Sequence, residues 1–156
     1  MVLDLSTMSM EKALSAALKS EIDAEKVYGK IKKKVNNFVL KEKLHFLAGE
    51  EKKHHWMLEE LYRKMFHGKN PEPVVKSITP RLSIALAEDA SVPDLLELAM
   101  EAEKLSEEFY DELSTAVEDK KKQELFQYLA HYELCMKDEM YYQRDDFQYD
   151  MVHIGP

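Results

Sequence analysis

The sequence predicts an all-α fold, a four-helix bundle of two antiparallel hairpins joined by a long crossover. Three observations carry this. Four glycines and five prolines among 156 residues, with 33% charged, suit long helices better than strands and turns. Apolar residues recur in steps of three and four along extended stretches, the spacing of one helix face. The chain also repeats itself. A shift of 82 positions lays Leu14 on Leu96, Ala17 on Ala99, Glu21 on Glu103, Glu25 on Glu107 and Tyr28 on Tyr110. The same shift lays Leu47 on Leu129, Ala48 on Ala130, Glu51 on Glu133 and His54 on Met136.

The first helix is expected over roughly 9–35, with Ser9 as N-cap and almost no breakers inside. The second, roughly 37–66, carries the stripe Leu40, Leu44, Leu47, Glu51, His54, Leu58, Leu61, Met65. Gly68 and the run Asn70-Pro71-Glu72-Pro73 stop it. The third, roughly 93–117, begins at Pro93, a residue suited to a first helical turn. The fourth, roughly 120–143, shows Phe126, Leu129, Glu133, Met136 and Met140 in the register of the second. Short joins make each pair an antiparallel hairpin. The crossover, 67–92, is long enough to traverse the bundle, and Leu82-Ser-Ile-Ala-Leu-Ala87 is a candidate short helix within it. The tail, 145–156, reads as irregular. A single domain over 1–156 is expected.

Charge and composition exclude several function classes. A net charge of -8 argues against nucleic acid or an anionic membrane as the main partner. No apolar run approaches the roughly 20 residues of a membrane span. Met1-Val-Leu-Asp-Leu-Ser6 has neither the basic nor the apolar region of a secretory leader. The lone Cys135 excludes an internal disulfide and multi-cysteine metal sites. A cytoplasmic setting is expected, with Cys135 at least half-buried.

The informative residues are polar ones on apolar stripes. Glu51 and His54 share the leucine face of the second helix. Glu21 lies among Leu14, Leu18 and Tyr28, Glu103 among Leu96, Ala99 and Tyr110, and Glu133 between Leu129 and Met140. Uncompensated, buried carboxylates cost several kcal/mol each. Protonation is one remedy and bound divalent cations are another. Carboxylate oxygen with imidazole nitrogen suits iron, manganese or zinc better than copper. Bundles build such sites from a Glu on each of two helices and a Glu-x-x-His on each of the other two. The chain holds two Glu-x-x-His pairs, Glu42 with His45 and Glu51 with His54. Only the second lies on the stripe, and only Glu51 has a repeat counterpart. Glu25 and Glu107 also match across the repeat and read as polar residues at the edge of the core.

The strings Ala17-Leu-Lys-Ser-Glu-Ile-Asp-Ala-Glu-Lys-Val-Tyr28, Leu47-Ala-Gly-Glu-Glu-Lys-Lys-His54, Ala99-Met-Glu-Ala-Glu-Lys-Leu-Ser-Glu-Glu-Phe-Tyr110 and Leu129-Ala-His-Tyr-Glu133 resemble the rubrerythrin branch of the ferritin-like superfamily. The resemblance implies two metals, usually iron, in the middle of the bundle, with Glu21, Glu51, His54, Glu103 and Glu133 as ligands. No catalytic residue beyond the ligands is implied. Tyr28 and Tyr110 would hold bridging carboxylates by hydrogen bonds. The implied activity is reduction of hydrogen peroxide, or oxidation of ferrous iron by peroxide or dioxygen, in a homodimer.

Three departures stand out. Met136 occupies the place of a second ligand histidine, and thioether sulfur is a poor ligand for a hard metal. Met100 stands where typical members carry another glutamate. The four-cysteine rubredoxin module is absent, so electrons are expected from a separate donor protein. His131 lies about 200° around the helix from Glu133 and cannot replace the histidine. Cys135 is displaced too, and His153 would have to fold back. Two metals with water completing the second, one metal, or none remain open. The last opens a second reading: a degenerate bundle acting as a structural or partner-binding protein.

Overall fold

The computed structural model describes residues 4–71 and 77–153, with only the backbone described for 139 and 141–153. Among the described residues there are five helices: α1 (Met10–Lys34), α2 (Phe38–Met65), α3 (Pro80–Ala87), α4 (Val92–Ala116) and α5 (Lys120–His153). Strands are absent from these residues. No helix among them is long and apolar enough to cross a membrane.

Local chemistry sets the helix ends. The Ser9 hydroxyl accepts the Lys12 N–H at 3.3 Å, and Asn37 accepts the Leu40 N–H at 3.2 Å. Ser91 caps α4 through the Asp94 N–H at 3.3 Å, with Pro93 in the first turn. After α2 the backbone turns left-handed at His67 and Gly68, with φ of 53° and 79°. The Gly68 N–H then donates to Arg63 O at 2.8 Å, closing the helix end.

Two expectations are corrected. The irregular tail from 145 is helix as far as His153, so α5 runs ten residues past the expected end at 143. The reason lies in the sequence: after Lys120 the first glycine and proline are Gly155 and Pro156, so no breaker interrupts the segment. Cys135 is exposed rather than buried, its sulfur 3.6 Å from His131 Nε2. The short crossover helix forms as expected, at Pro80–Ala87.

α1 packs on α2 and α4 on α5, and α1 and α4 join the hairpins. The crossover helix α3 lies against α1 and α4. Leu82 and Ala85 of α3 are buried. Polar bonds fix it as well. Ser83 donates to buried Asp23 at 2.5 Å, and the Ser20 and Thr79 hydroxyls are 2.6 Å apart. Lys30 Nζ reaches Ala85 O at 3.1 Å and Glu88 O at 2.5 Å, placing a cation at the negative end of α3.

The apolar core falls into two clusters. One holds Val27, Ile31, Leu40, Leu44, Leu95, Leu96 and Met140; the other holds Leu14, Leu58, Phe109, Leu113, Phe126 and Leu129. On each of the four long helices the break between the clusters falls at a buried glutamate: Glu21, Glu51, Glu103 and Glu133. The fold is thus two oily halves around a polar middle. Leu44→Ala or Phe126→Ala, one in each half, should cost about 2–5 kcal/mol of stability. Phe46→Ala, at a 58% exposed position, should change it by less than about 0.5 kcal/mol. Urea unfolding followed by helical circular dichroism makes the comparison.

Candidate metal centre

Each helix delivers its polar residue because the residue sits on an apolar stripe. Burying Leu18 and Ala24 carries Glu21 inward, and burying Leu47 and Leu58 carries Glu51 and His54. Ala102 with Phe109 does the same for Glu103, and Leu129 with Met136 for Glu133. None of the five polar side chains exceeds 2% exposure.

Glu21, Glu51, His54 and Glu133 each present a ligand atom within 4.8 Å of the others, a group that could hold a metal ion. His54 Nδ1 lies 3.2 Å from Glu133 Oε1, 3.6 Å from Glu21 Oε2 and 3.8 Å from Glu51 Oε2. That ring nitrogen therefore faces the carboxylates. Glu103 is outside this compact group yet adjoins it, and its charge acts on Glu51 and Glu133. Four of the five expected ligands are thus brought into one set, with the fifth alongside.

Two tyrosines brace the carboxylates across the hairpins. The Tyr28 hydroxyl on α1 donates to Glu103 Oε1 on α4 at 2.5 Å. The Tyr110 hydroxyl on α4 donates to Glu21 Oε1 on α1 in a short hydrogen bond. The duplication makes the bonds reciprocal; the second oxygen of Glu103 is left without a partner, and that of Glu21 faces His54 Nδ1. Tyr28 also points its hydroxyl at Met140 Sδ, 3.4 Å away. Met136 is buried in the apolar cluster, with His131 and Cys135 exposed beside it on α5, so neither supplies a replacement for the missing histidine. The side chain of His153 lies outside the described residues. Glu25 and Glu107 are half-buried, as expected of core-edge residues, and Glu107 pairs with Lys137 at 3.7 Å.

The electrostatics show how crowded the centre is. Burial, followed by the charges of Glu103, Glu133 and Glu21, pushes Glu51 well above the ordinary carboxylate range. Burial, then Glu103 and Glu21, does the same to Glu133. Burial also opposes ionisation of Glu21, but Glu51, His54 and Tyr110 outweigh it and hold Glu21 at about 2. His54 resists charging through burial, yet the Glu21 carboxylate 3.6 Å away raises it overall. Both oxygens of Glu51, Glu103 Oε2 and His54 Nε2 are buried without a hydrogen-bond donor or acceptor. Only a proton held between the Glu21 and Glu51 carboxyls could join those two. Buried polar atoms are otherwise nearly always partnered, so unpaired carboxylate oxygens on Glu51, within the compact group, and on adjoining Glu103 fit a bound cation.

Two residues escaped the sequence reading. Glu50 is 5% exposed and binds Lys53 Nζ at 2.8 Å. Tyr132 stands edge-on to the His54 ring, with centroids 5.1 Å apart. The repeat held a signal for them, because the shift that pairs Glu51 with Glu133 also lays Glu50 on Tyr132.

Residues 12–134 match the rubrerythrin family model. The search of curated proteins gives no match. Among solved structures, a hypothetical protein from Pyrococcus furiosus is similar, with 30% sequence identity and a TM-score of 0.72. The match covers 95% of this chain and 94% of that one. With the family model spanning most of the chain, and the carboxylates of both hairpins converging on one buried histidine, the chain belongs to the rubrerythrin family.

Proposed function

We propose that this protein is a non-haem di-metal carboxylate protein, with iron as its metal, that reduces hydrogen peroxide or oxidises ferrous iron. The observation that carries the reading is the set of unpaired buried oxygens on Glu51 and Glu103 beside His54 Nδ1. Without a cation those carboxyls must hold protons to stay buried, at a cost to the fold. Iron, when bound, supplies the electrons that peroxide takes up.

The chain's own residues do the rest. Glu21, Glu51, His54 and Glu133 form the more complete ligand set, and Glu103 with the unpaired oxygens of Glu51 forms the other. Tyr28 and Tyr110 fix the rotation of Glu103 and Glu21, so one oxygen of each stays aimed at the centre. The apolar clusters on either side exclude bulk water. An external electron donor and a second copy of the chain as partner belong to this reading too. The buried thioether of Met136, in place of a nitrogen ligand, favours a weaker second metal.

Metal per chain after ferrous reconstitution is the direct test. His54→Ala should lower metal content and peroxide turnover together, and full occupancy in that variant would remove His54 from the ligand set. Met136→His should raise the affinity of the second metal, read as a higher iron count per chain at limiting ferrous iron. An unchanged count would show that the second half of the site does not need that ligand.

Stripping the metal should make stability pH-dependent. Glu51 and Glu133 hold protons more tightly folded than unfolded, so the folded state binds more protons above their ordinary value near 4.5. Stability of the metal-free protein should therefore fall as pH rises from about 5 to 8. His54, raised on folding, contributes with the same sign as pH passes its folded value. The opposing term from Glu21 lies between about 2 and 4.5, below this window. Thermal melts at both pH values check this. Metal-loaded protein should melt higher, because ions bound only by the folded state stabilise it.

A further inference from the structure

Four large apolar side chains of α2 stand in solvent. Phe38, Val39, Phe46 and Trp56 are 73%, 70%, 58% and 57% exposed. At 3.6 residues per turn they fall within an arc of about 100°, on the side of α2 away from buried Leu40, Leu47 and Leu58. From Phe38 to Trp56 the stripe runs about 27 Å along the helix axis. Aromatic side chains carry about 150–250 Å² each, so the three rings expose on the order of 300–450 Å² per chain. A contiguous patch of that size marks an interaction site, whereas single exposed apolar residues are ordinary.

The same arc shows what covers it. Glu42 is exposed and has no ion-pair partner among the described residues. Lys53 is 65% exposed, with Nζ tied to Glu50. Gly49 is also exposed, and a Cβ added there meets nothing within 4 Å. Glycine inside a helix is a cost to the fold, and nothing within this chain requires it. Laid antiparallel on a second copy, with Glu42 opposite that copy's Lys53, α2 is complementary to itself. The same register sets Phe46 over the bare backbone at Gly49, Val39 opposite Trp56, and Phe38 opposite half-buried Met57. A slip of one turn either way sets Lys53 against Phe46 or Glu42 against Gly49, and the match is lost.

We propose that two copies of this chain pair through the outer face of α2, antiparallel about a two-fold axis, in that register. Two-fold symmetry makes each contact twice. The area fits: the rings supply about half of the roughly 800 Å² that a standard interface takes from each partner, and the polar flanks of the helix supply a rim. The second copy that belongs to the functional reading thereby gains a surface, and the pairing itself needs no metal. Glu51 and His54 lie on the inner face of α2, so the two centres of the dimer flank the paired helices. Phe46 supports little within one chain, so its truncation spares the unfolding of the single chain; its contact is with the second copy.

The test is sedimentation equilibrium on the full chain, metal-free and reconstituted with ferrous iron, over a range of protein concentrations. The wild type should reach twice the 18.3 kDa of one chain. Gly49→Leu fills space that is open in the single chain, so it should keep its helicity and raise the dimer dissociation constant at least tenfold. Should that variant lose helix, Trp56→Lys takes its place with the same expectation. Register is read from disulfide formation in a Cys135→Ser background. Glu42→Cys with Lys53→Cys should give a covalent dimer on oxidation, and Glu42→Cys alone should not. Within one chain those two positions are about three turns apart and cannot join. A wild type that is monomeric at every concentration would overturn the pairing, as would a dimer indifferent to these variants or a missing crosslink. Iron bound by a monomeric chain would overturn the pairing and leave the metal reading standing. A dimer that takes up no iron would do the reverse.

Discussion

Everything in this fold is arranged around carboxylates that have been taken out of water. Five titratable side chains meet between two apolar clusters, and their mutual repulsion would open the bundle if nothing offset it. The chain offsets part of it with tyrosine hydroxyls and the His54 ring, and protons account for more where no cation is bound. The four unpaired atoms measure how far the protein alone falls short. Stability given up at this point is what leaves room for a ligand, which is the usual relation between a functional site and its fold.

The duplication explains why the offsets come in pairs. Tyr28 and Tyr110 are repeat partners, as are Glu21 and Glu103, and each tyrosine reaches the glutamate of the other hairpin. Symmetry is broken at two places on α5. Met136 takes away a nitrogen ligand where His54 keeps one, and Tyr132 replaces an acid where Glu50 keeps one. Both changes fall on the same helix, within a turn of Glu133. The centre is therefore a symmetric scaffold with unequal sides, and the aromatic rings lie on the side with the histidine.

Much of this was legible in the sequence, for physical reasons. The helix positions follow from 3.6-residue periodicity and from caps at Ser9 and Asn37, which bond as their chemistry requires. The inward glutamates were visible because an acid on a leucine stripe is carried into the core when the leucines around it are buried. The length of α5 was less visible: its last turns lack a strong apolar stripe, and weak patterning reads as irregular although nothing there breaks a helix. The exposure of Cys135 was not legible, since it depends on how α5 is rotated against its neighbours. That rotation is set by packing between segments far apart in sequence, as in the core cluster that holds both Leu58 and Phe126.

The brevity of the two hairpin turns bears on how the centre comes into being. Residues 35–37 and 117–119 close each hairpin through contacts that are local in sequence, whereas α1 meets α4 only across the crossover. Local closure is entropically cheap and fast, and distant closure is slower. Each hairpin alone leaves its glutamates on an open, hydrated face. Their dehydration is thus concentrated in one late event, the docking of the hairpins, and cations present at that moment would act as a template for the final step.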